Sequence, residues 1–158
     1  MMTILDWPAV RTIYEHGIAT GHATLERTPP SWEAWDADHL PGLRWIAEVD
    51  GAVVGWCAVA LAHRTVAQGV GESSVYVSPA AWRSGIGCAL LCTAVRESEA
   101  AGLWTLEARV LDGNVASLRL HERHGFRVVG HRERIGRAAG VWRDLLLLER
   151  RSAVVGVP

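Results

Sequence analysis

The sequence predicts a single mixed α/β domain, and three observations carry that expectation. Strand-type and helix-type periodicities alternate through residues 73–129 in the order strand, helix, strand, helix, strand, which allows parallel pairing in a sheet flanked by helices. Asp50-Gly51 between two β-rich runs is among the strongest short-range hairpin signals. A length of 158 residues, 49% of them hydrophobic, suits one full core.

Taken in order, Asp6 is placed to cap a first helix. Pro8 is tolerated in its first turn, and Val10, Ile13 and Tyr14 form one apolar face that ends near Gly17. Pro29-Pro30 breaks the chain, and Ser31 caps a short second helix through Trp32, Trp35 and Leu40, closed by Pro41-Gly42. Residues 45–49 and 52–61 are the hairpin strands, 62–71 show no clear period, and 73–78 form a short strand stopped by Pro79. Over 85–101 the period changes: Leu90, Leu91, Ala94, Val95 and Ser98 recur at helical spacing, and Gly102 suits the position just past the helix end. Residues 104–110 alternate, with Leu106, Ala108 and Val110 on one face. Asn114 caps a further helix that ends at Gly125, a strand follows near 126–129, and 141–148 is the last strand after an arginine- and glycine-rich loop. Residues 1–151 are expected to form the domain and 152–158 a flexible tail.

Composition removes several function classes. The formal net charge is −1 and the sequence pI about 6.6, which argues against nucleic acid as the main partner. All 16 basic residues are arginine. Without lysine there is no Walker A phosphate loop and no Schiff-base mechanism, so P-loop NTPases and pyridoxal enzymes are excluded. Three cysteines are an odd number in a chain that needs no staples, which points to a reducing cytoplasm rather than a disulfide framework. The first eight residues lack the features of a signal peptide, and no apolar run approaches the roughly 20 residues that cross a bilayer. The expectation is a cytoplasmic protein with no membrane partner.

The densest chemical signal is Val75-Tyr76-Val77-Ser78-Pro79 followed by Ala80-Ala81-Trp82-Arg83-Ser84-Gly85-Ile86-Gly87-Cys88. A strand ends at a proline, the chain turns, and two glycines open a helix. Glycines admit a close ligand, and a helix N-terminus offers free N–H groups and a positive dipole end. The segment reads either as a pyrophosphate cradle or as a tight strand-to-helix turn. Further along, Asn114, Ser117, Arg119, His121 and then Gly125-Phe126 include the only asparagine and the only phenylalanine of the chain.

Together these segments resemble the coenzyme A site of the GCN5-related N-acetyltransferase (GNAT) superfamily. Its phosphate motif reads Q/R-x-x-G-x-G/A after a strand, followed later by an asparagine, a tyrosine and G-F. Residues 72–79, Ser117-x-Arg119-x-His121-Glu122 and Trp142-Arg143-Asp144 look like the phosphinothricin and methionine sulfoximine acetyltransferase branch, where histidine replaces the tyrosine. The resemblance covers roughly residues 7–148. It implies a central mixed, mostly antiparallel twisted sheet with a parallel strand pair splayed at the coenzyme site. It also implies acetyl-CoA as co-substrate, a small amine or amino-acid acceptor, no metal, and a homodimer.

By the same resemblance Glu72 is the general base and His121 the candidate acid. The backbone of Val75, Tyr76 and Val77 contacts the acetyl group, Arg83, Ser84, Gly85, Ile86, Gly87 and Cys88 hold the phosphates, and Asn114 and Ser117 meet the thioester end. Arg64, Glu72, Ser73 and Ser74 face the substrate, Arg64 with arginine's bidentate match to a carboxylate. Trp82, Ala67 and Glu15 depart from the branch's pattern. For the residues on their own, Glu72 reads equally as a solvated strand-end carboxylate, His121 as a hydrogen-bonded helix histidine or a water organiser, and Arg64 as a surface arginine. Cys88 and Cys92, one turn apart, read as buried small apolar residues. His121 and His124 are three apart, which rules out the H-E-x-x-H zinc geometry. Competing functions are acetylation of protein N-termini and a non-catalytic acyl-CoA sensor.

Overall fold

A computed structural model describes residues 1–62 and 69–157. Its elements are α1 (Trp7–Ala19), α2 (Trp32–Asp38), β1 (His39–Val49), β2 (Ala52–Leu61), β3 (Val70–Val77), α3 (Ile86–Ala100), β4 (Thr105–Leu111), α4 (Val115–Arg123), β5 (Arg127–Ala138) and β6 (Val141–Arg151). The strands form one sheet in the order β1-β2-β3-β4-β6-β5. Every neighbouring pair is antiparallel except β3 and β4, so the mixed, mostly antiparallel sheet implied by the resemblance is present.

Local chemistry explains most boundaries. Asp50 and Gly51 have φ of 51° and 77°, the paired positive values of a type I′ hairpin turn. The Ser31 hydroxyl accepts from the Ala34 N–H and caps α2, and the Asn114 side-chain oxygen accepts from the Ser117 N–H and caps α4, both as the sequence indicates. Asp6 behaves differently. Its carboxylate accepts from the N–H and hydroxyl of Thr3, closing the short 3-10 turn Ile4–Asp6, and does not cap α1.

Two strands are longer than their periodicity suggests. β1 begins at His39 and carries Pro41-Gly42 within an irregularity between His39 and Arg44, which lets the ladder skip the missing proline N–H. The arginine- and glycine-rich segment expected as a loop is most of β5. It is exposed on nearly every residue and bulged between Arg132 and Gly136, so no buried face imposes alternation on its sequence. The tail begins tied down: Ser152 is buried, its N–H donates to the Trp104 carbonyl, and its hydroxyl accepts from Val154 and Val155.

The sheet is covered on both faces near β2. Cys57 and Val59 join the cluster under α3 with Leu90, Leu91, Ala94, Leu106 and Leu148. Trp56 and Ala58 point the other way, into a cluster with Trp7, Val10, Ile13 and Trp35 from α1 and α2. β2 is therefore apolar at almost every position, as a doubly covered strand must be.

The parallel pair is short. β3 and β4 pair at Val70↔Thr105, Gly71↔Leu106 and Glu72↔Glu107, and no further. β3 then continues to Val77 along β2, while β4 continues to Leu111 along β6. A wedge opens between them. At its mouth the Asn114 amide N–H also donates to the His22 carbonyl at 3.1 Å, fastening the chain after α1 to the start of α4.

Asn114→Ala removes the cap and that tether together, and is expected to cost about 2 kcal/mol, about one for each. Asn114→Asp retains the cap oxygen and should recover about half. Urea unfolding of the three proteins measures both differences.

Candidate active site

Residues paired across a sheet point to the same face. Starting from Glu72, that rule places Ser74 and Tyr76 of β3, Ala60 and Trp56 of β2, and Arg109 of β4 on the face that α1 and α2 cover only in part. They border a cleft of about 610 Å³ whose wall also includes Tyr14, Trp35, His39, Glu26 and Asp38. Arg109 Nη2 lies 3.2 Å from Glu72 Oε2, an ion pair across the parting strands. Ser73, between Glu72 and Ser74, faces the opposite side. It is buried, and its hydroxyl donates to the Glu107 carbonyl where the ladder ends.

The aromatic side of the cleft is a packed stack. Tyr76 lies flat on Trp56 at 4.6 Å, Tyr14 tilts against Tyr76 at 4.8 Å, and Trp35 meets Trp56 edge-on at 5.9 Å. Burial raises the pKa of both tyrosines, with Glu26 raising Tyr14 further and Tyr14 raising Tyr76, so both phenols are neutral donors. His39 stacks on Trp35 at 4.1 Å, and its pKa is lowered by burial.

The glycine-rich turn lies at the N-terminus of α3, whose own packing is on the other face. The wedge between β3 and β4 joins the two sides. After the 3-10 turn Pro79–Ala81, Trp82 Nε1 donates to the Val77 carbonyl at 2.9 Å and the Ser84 hydroxyl donates to the Ala81 carbonyl. Arg83 and Gly85 take positive φ, 63° and 87°. The first helical bond runs from Ala89 N–H to the Gly85 carbonyl, so the N–H groups of Ile86, Gly87 and Cys88 have no acceptor within the helix. Nothing lies within 4 Å of where a Gly85 side chain would start, whereas at Gly87 it would meet Leu120 at 3.3 Å. The two glycines thus serve different ends: Gly85 bends the backbone beside open space, and Gly87 lets α3 pack against α4.

His121 is buried on α4 beside Phe126, outside the cleft wall. Nδ1 lies 2.8 Å from the Ser117 carbonyl, an oxygen that only accepts, so the proton sits on Nδ1 and Nε2 is an acceptor without a partner among the described residues. Burial lowers its pKa, and the ring rests neutral.

Arg64 and Ala67 lie outside the described residues. Glu15 pairs with Arg11 on the exposed side of α1, away from the Glu72 cleft. Cys88 is half-buried and Cys92 exposed, so only Cys57 is the buried apolar cysteine that the helical spacing suggested for the other two. Arg109, His39, Trp56 and Tyr14 line the cleft without a signal in the sequence that marks them as cleft residues. Arg109 sits on the polar side of an alternating strand, which without the pairing reads as solvent-facing. No three His, Cys, Asp or Glu side chains among the described residues cluster as a metal site, and no helix of the described residues is long and apolar enough to cross a membrane.

Comparison with known proteins gives this arrangement its class. Residues 5–126 match the acetyltransferase (GNAT) family, and the chain belongs to it: it is an N-acetyltransferase. It is 36% identical to phosphinothricin N-acetyltransferase of Alcaligenes faecalis, over 92% of this chain and 77% of that one. It is 29% identical to the L-methionine sulfoximine/L-methionine sulfone acetyltransferase of Pseudomonas paraeruginosa, over 92% and 89%. Among solved structures, a GNAT phosphinothricin acetyltransferase from Sinorhizobium meliloti in complex with acetyl-CoA superposes with a TM-score of 0.90 at 28% identity, covering 98% of this chain and 88% of that one.

Gly85→Val forces a β-branched residue to φ of 87° at the opening of the turn. Affinity for acetyl-CoA, the ligand of the Sinorhizobium protein, is expected to fall at least tenfold, about 1.4 kcal/mol. Isothermal titration of the folded variant measures it, and unchanged affinity would remove the turn from the coenzyme site.

Proposed function

We propose that the protein transfers the acetyl group of acetyl-CoA to the amino group of a small amino-acid-like acceptor of the phosphinothricin and methionine sulfoximine kind, with Glu72 as general base. The observation that carries this reading is the position of Glu72, in the wall of the cleft at the last paired position before β3 and β4 separate.

Transfer from a thioester to an amine needs a neutral amine, a polarised carbonyl and a leaving thiolate that gains a proton. An amino-acid acceptor arrives largely as ammonium, with no lone pair to attack. Glu72 takes that proton directly or through one water. Beyond Glu72 the backbone of Val75, Tyr76 and Val77 has no partner strand on the β4 side, and an N–H there polarises the acetyl carbonyl. Arg83, Ser84, Gly85, Ile86, Gly87 and Cys88 hold the pyrophosphate through the free N–H groups and dipole of α3. Asn114 and Ser117 meet the pantetheine end, while the Asn114 amide also holds the chain at His22. The neutral His121, with its proton committed to the Ser117 carbonyl, fits the organising of water better than the donation of a proton.

For the acceptor, Glu72 and Ser74 face the cleft and Ser73 does not. Arg64 is assigned to an anionic group of the acceptor. The reading includes a homodimer in the cytoplasm. Exposed Val128 and Val129 at one end of the β5–β6 hairpin and Val141 and Trp142 at the other leave apolar surface for a second copy, and the three free cysteines suit a reducing compartment.

A thiol-release assay with acetyl-CoA and a panel of free amino acids, simple amines and short peptides tests the reading. Free amino acids are expected to react. Glu72→Gln retains size and hydrogen-bonding reach but cannot hold the proton, so kcat should fall by roughly two orders of magnitude at neutral pH. Acetyl-CoA affinity should persist, and activity should recover in part at high pH, where more acceptor is already neutral. Release with peptides alone would favour an N-terminal acetyltransferase, and binding without release a sensor. Near-normal kcat in Glu72→Gln across the pH range would contradict its role as base.

A further inference from the structure

One row of cross-strand partners runs through the cleft: His39 of β1 opposite Ala60 of β2, and Ala60 opposite Glu72 of β3. All three line the same cavity. Neighbouring strands lie about 4.8 Å apart, so the imidazole and the carboxylate rise from backbones about 10 Å apart, with the Ala60 methyl as the described side chain in the row between them. Two titratable side chains thus stand on either side of Ala60 in the wall of one cleft.

The orientation of the imidazole is settled by its other nitrogen. Nδ1 lies 2.7 Å from the Trp35 carbonyl oxygen, which only accepts, so the ring is held as the Nδ1–H tautomer, and the stack on Trp35 fixes its plane. Nε2 has no hydrogen-bond partner among the described residues, and the half-buried ring lines the cleft. An oriented, accessible lone pair remains in the wall of a cleft built for an amine.

We propose that His39 is a second proton acceptor in acetyl transfer, acting across Ala60 from Glu72. The inference rests on the acetyl-transfer reading. The chemistry calls for two acceptances, because the nitrogen sheds two protons in becoming an amide. Glu72 takes the first: an N–H bond of the ammonium breaks, and its electron pair becomes the lone pair that forms the N–C bond to the acetyl carbon. His39 takes the second from the positively charged nitrogen of the tetrahedral adduct. The pair of that N–H bond stays on nitrogen as the C–S bond breaks, with its electrons leaving on sulfur. One of the two protons ends on the thiolate and the other in water.

The surroundings suit an acceptor that starts neutral. Burial, with the Arg44 guanidinium behind the ring, lowers its pKa, against the opposing pull of the Trp35 carbonyl and of Asp38 and Asp36 on α2. Glu26 and Tyr14 stand elsewhere in the wall, and Glu72 and its partner Arg109 lie beyond Ala60.

His39→Asn tests the inference, because its amide keeps a donor near the Nδ1 position and removes Nε2. With a free amino acid as acceptor, kcat is expected to fall on the order of 10²-fold while acetyl-CoA affinity stays within twofold, about the lower end of general-base effects. The wild-type profile of kcat/KM against pH should show an acid limb displaced below the ordinary histidine value, and the variant should lack it. His39→Gln gives the same readings if the first variant folds poorly. An active wild type without that limb, or a folded variant with wild-type kcat, would overturn the role of His39 alone. A wild type that acetylates no free amino acid would overturn both this inference and the acetyl-transfer reading.

Discussion

Parallel pairing between β3 and β4 ends at Glu72↔Glu107 after three positions, and both halves of the site are arranged around that parting. What ends the ladder is local. One residue past Glu72 the Ser73 hydroxyl binds the Glu107 carbonyl. Each strand then follows its antiparallel neighbour, β3 along β2 and β4 along β6. The twist of the sheet carries the two apart. A backbone edge without a partner is costly in a closed core but useful where a ligand supplies the missing acceptor.

The cleft side of that wedge is stabilised by aromatic packing. Trp7, Trp32, Trp35, Trp56, Tyr14 and Tyr76 bring α1 and α2 down onto β2 and β3 through edge and stacked contacts between 4.6 and 5.9 Å. Such pairs contribute about 0.5–1.5 kcal/mol each beyond the area they bury. Against this rigid wall stand groups that need firm placement: Glu72 held by Arg109, and His39 held between Trp35 and its own hydrogen bond. The Arg44 guanidinium, buried behind them, donates to Asp36 and to the carbonyls of Leu40 and His39, which secures the start of β1.

Much of the fold is legible in the sequence because local rules act there. Asp50-Gly51 can hardly be other than a hairpin turn, and Asn114 and Ser31 cap the helices they precede. Periodicity marks α3 because one face of it is buried. The same rule fails for β5, where almost nothing is buried, and for β1, where Pro41-Gly42 forms a bulge rather than a stop. Half of the site is legible on similar grounds. The α3 turn is contiguous in sequence, and Glu72, in the strand that leads into it, is marked by the resemblance to the family rather than by a local rule. The rest of the cleft is assembled over distance: the register of three ladders brings His39, Ala60 and Arg109 beside Glu72, and the packing of α1 on β2 and β3 adds Tyr14. Nothing in the sequence near Arg109 distinguishes a residue that faces Glu72 from one that faces water.

On the proposed reading, the wedge between β3 and β4 holds the thioester and Glu72 stands at its edge. A crystal structure of the protein with acetyl-CoA and a bound amino-acid acceptor tests it most directly. The thioester is expected between the two strands beyond Glu72, with the pyrophosphate on the α3 N-terminus and the acceptor nitrogen within one bridging water of the Glu72 carboxylate. A thioester outside the wedge, or an acceptor nitrogen with no direct or water-borne path to Glu72, would contradict it.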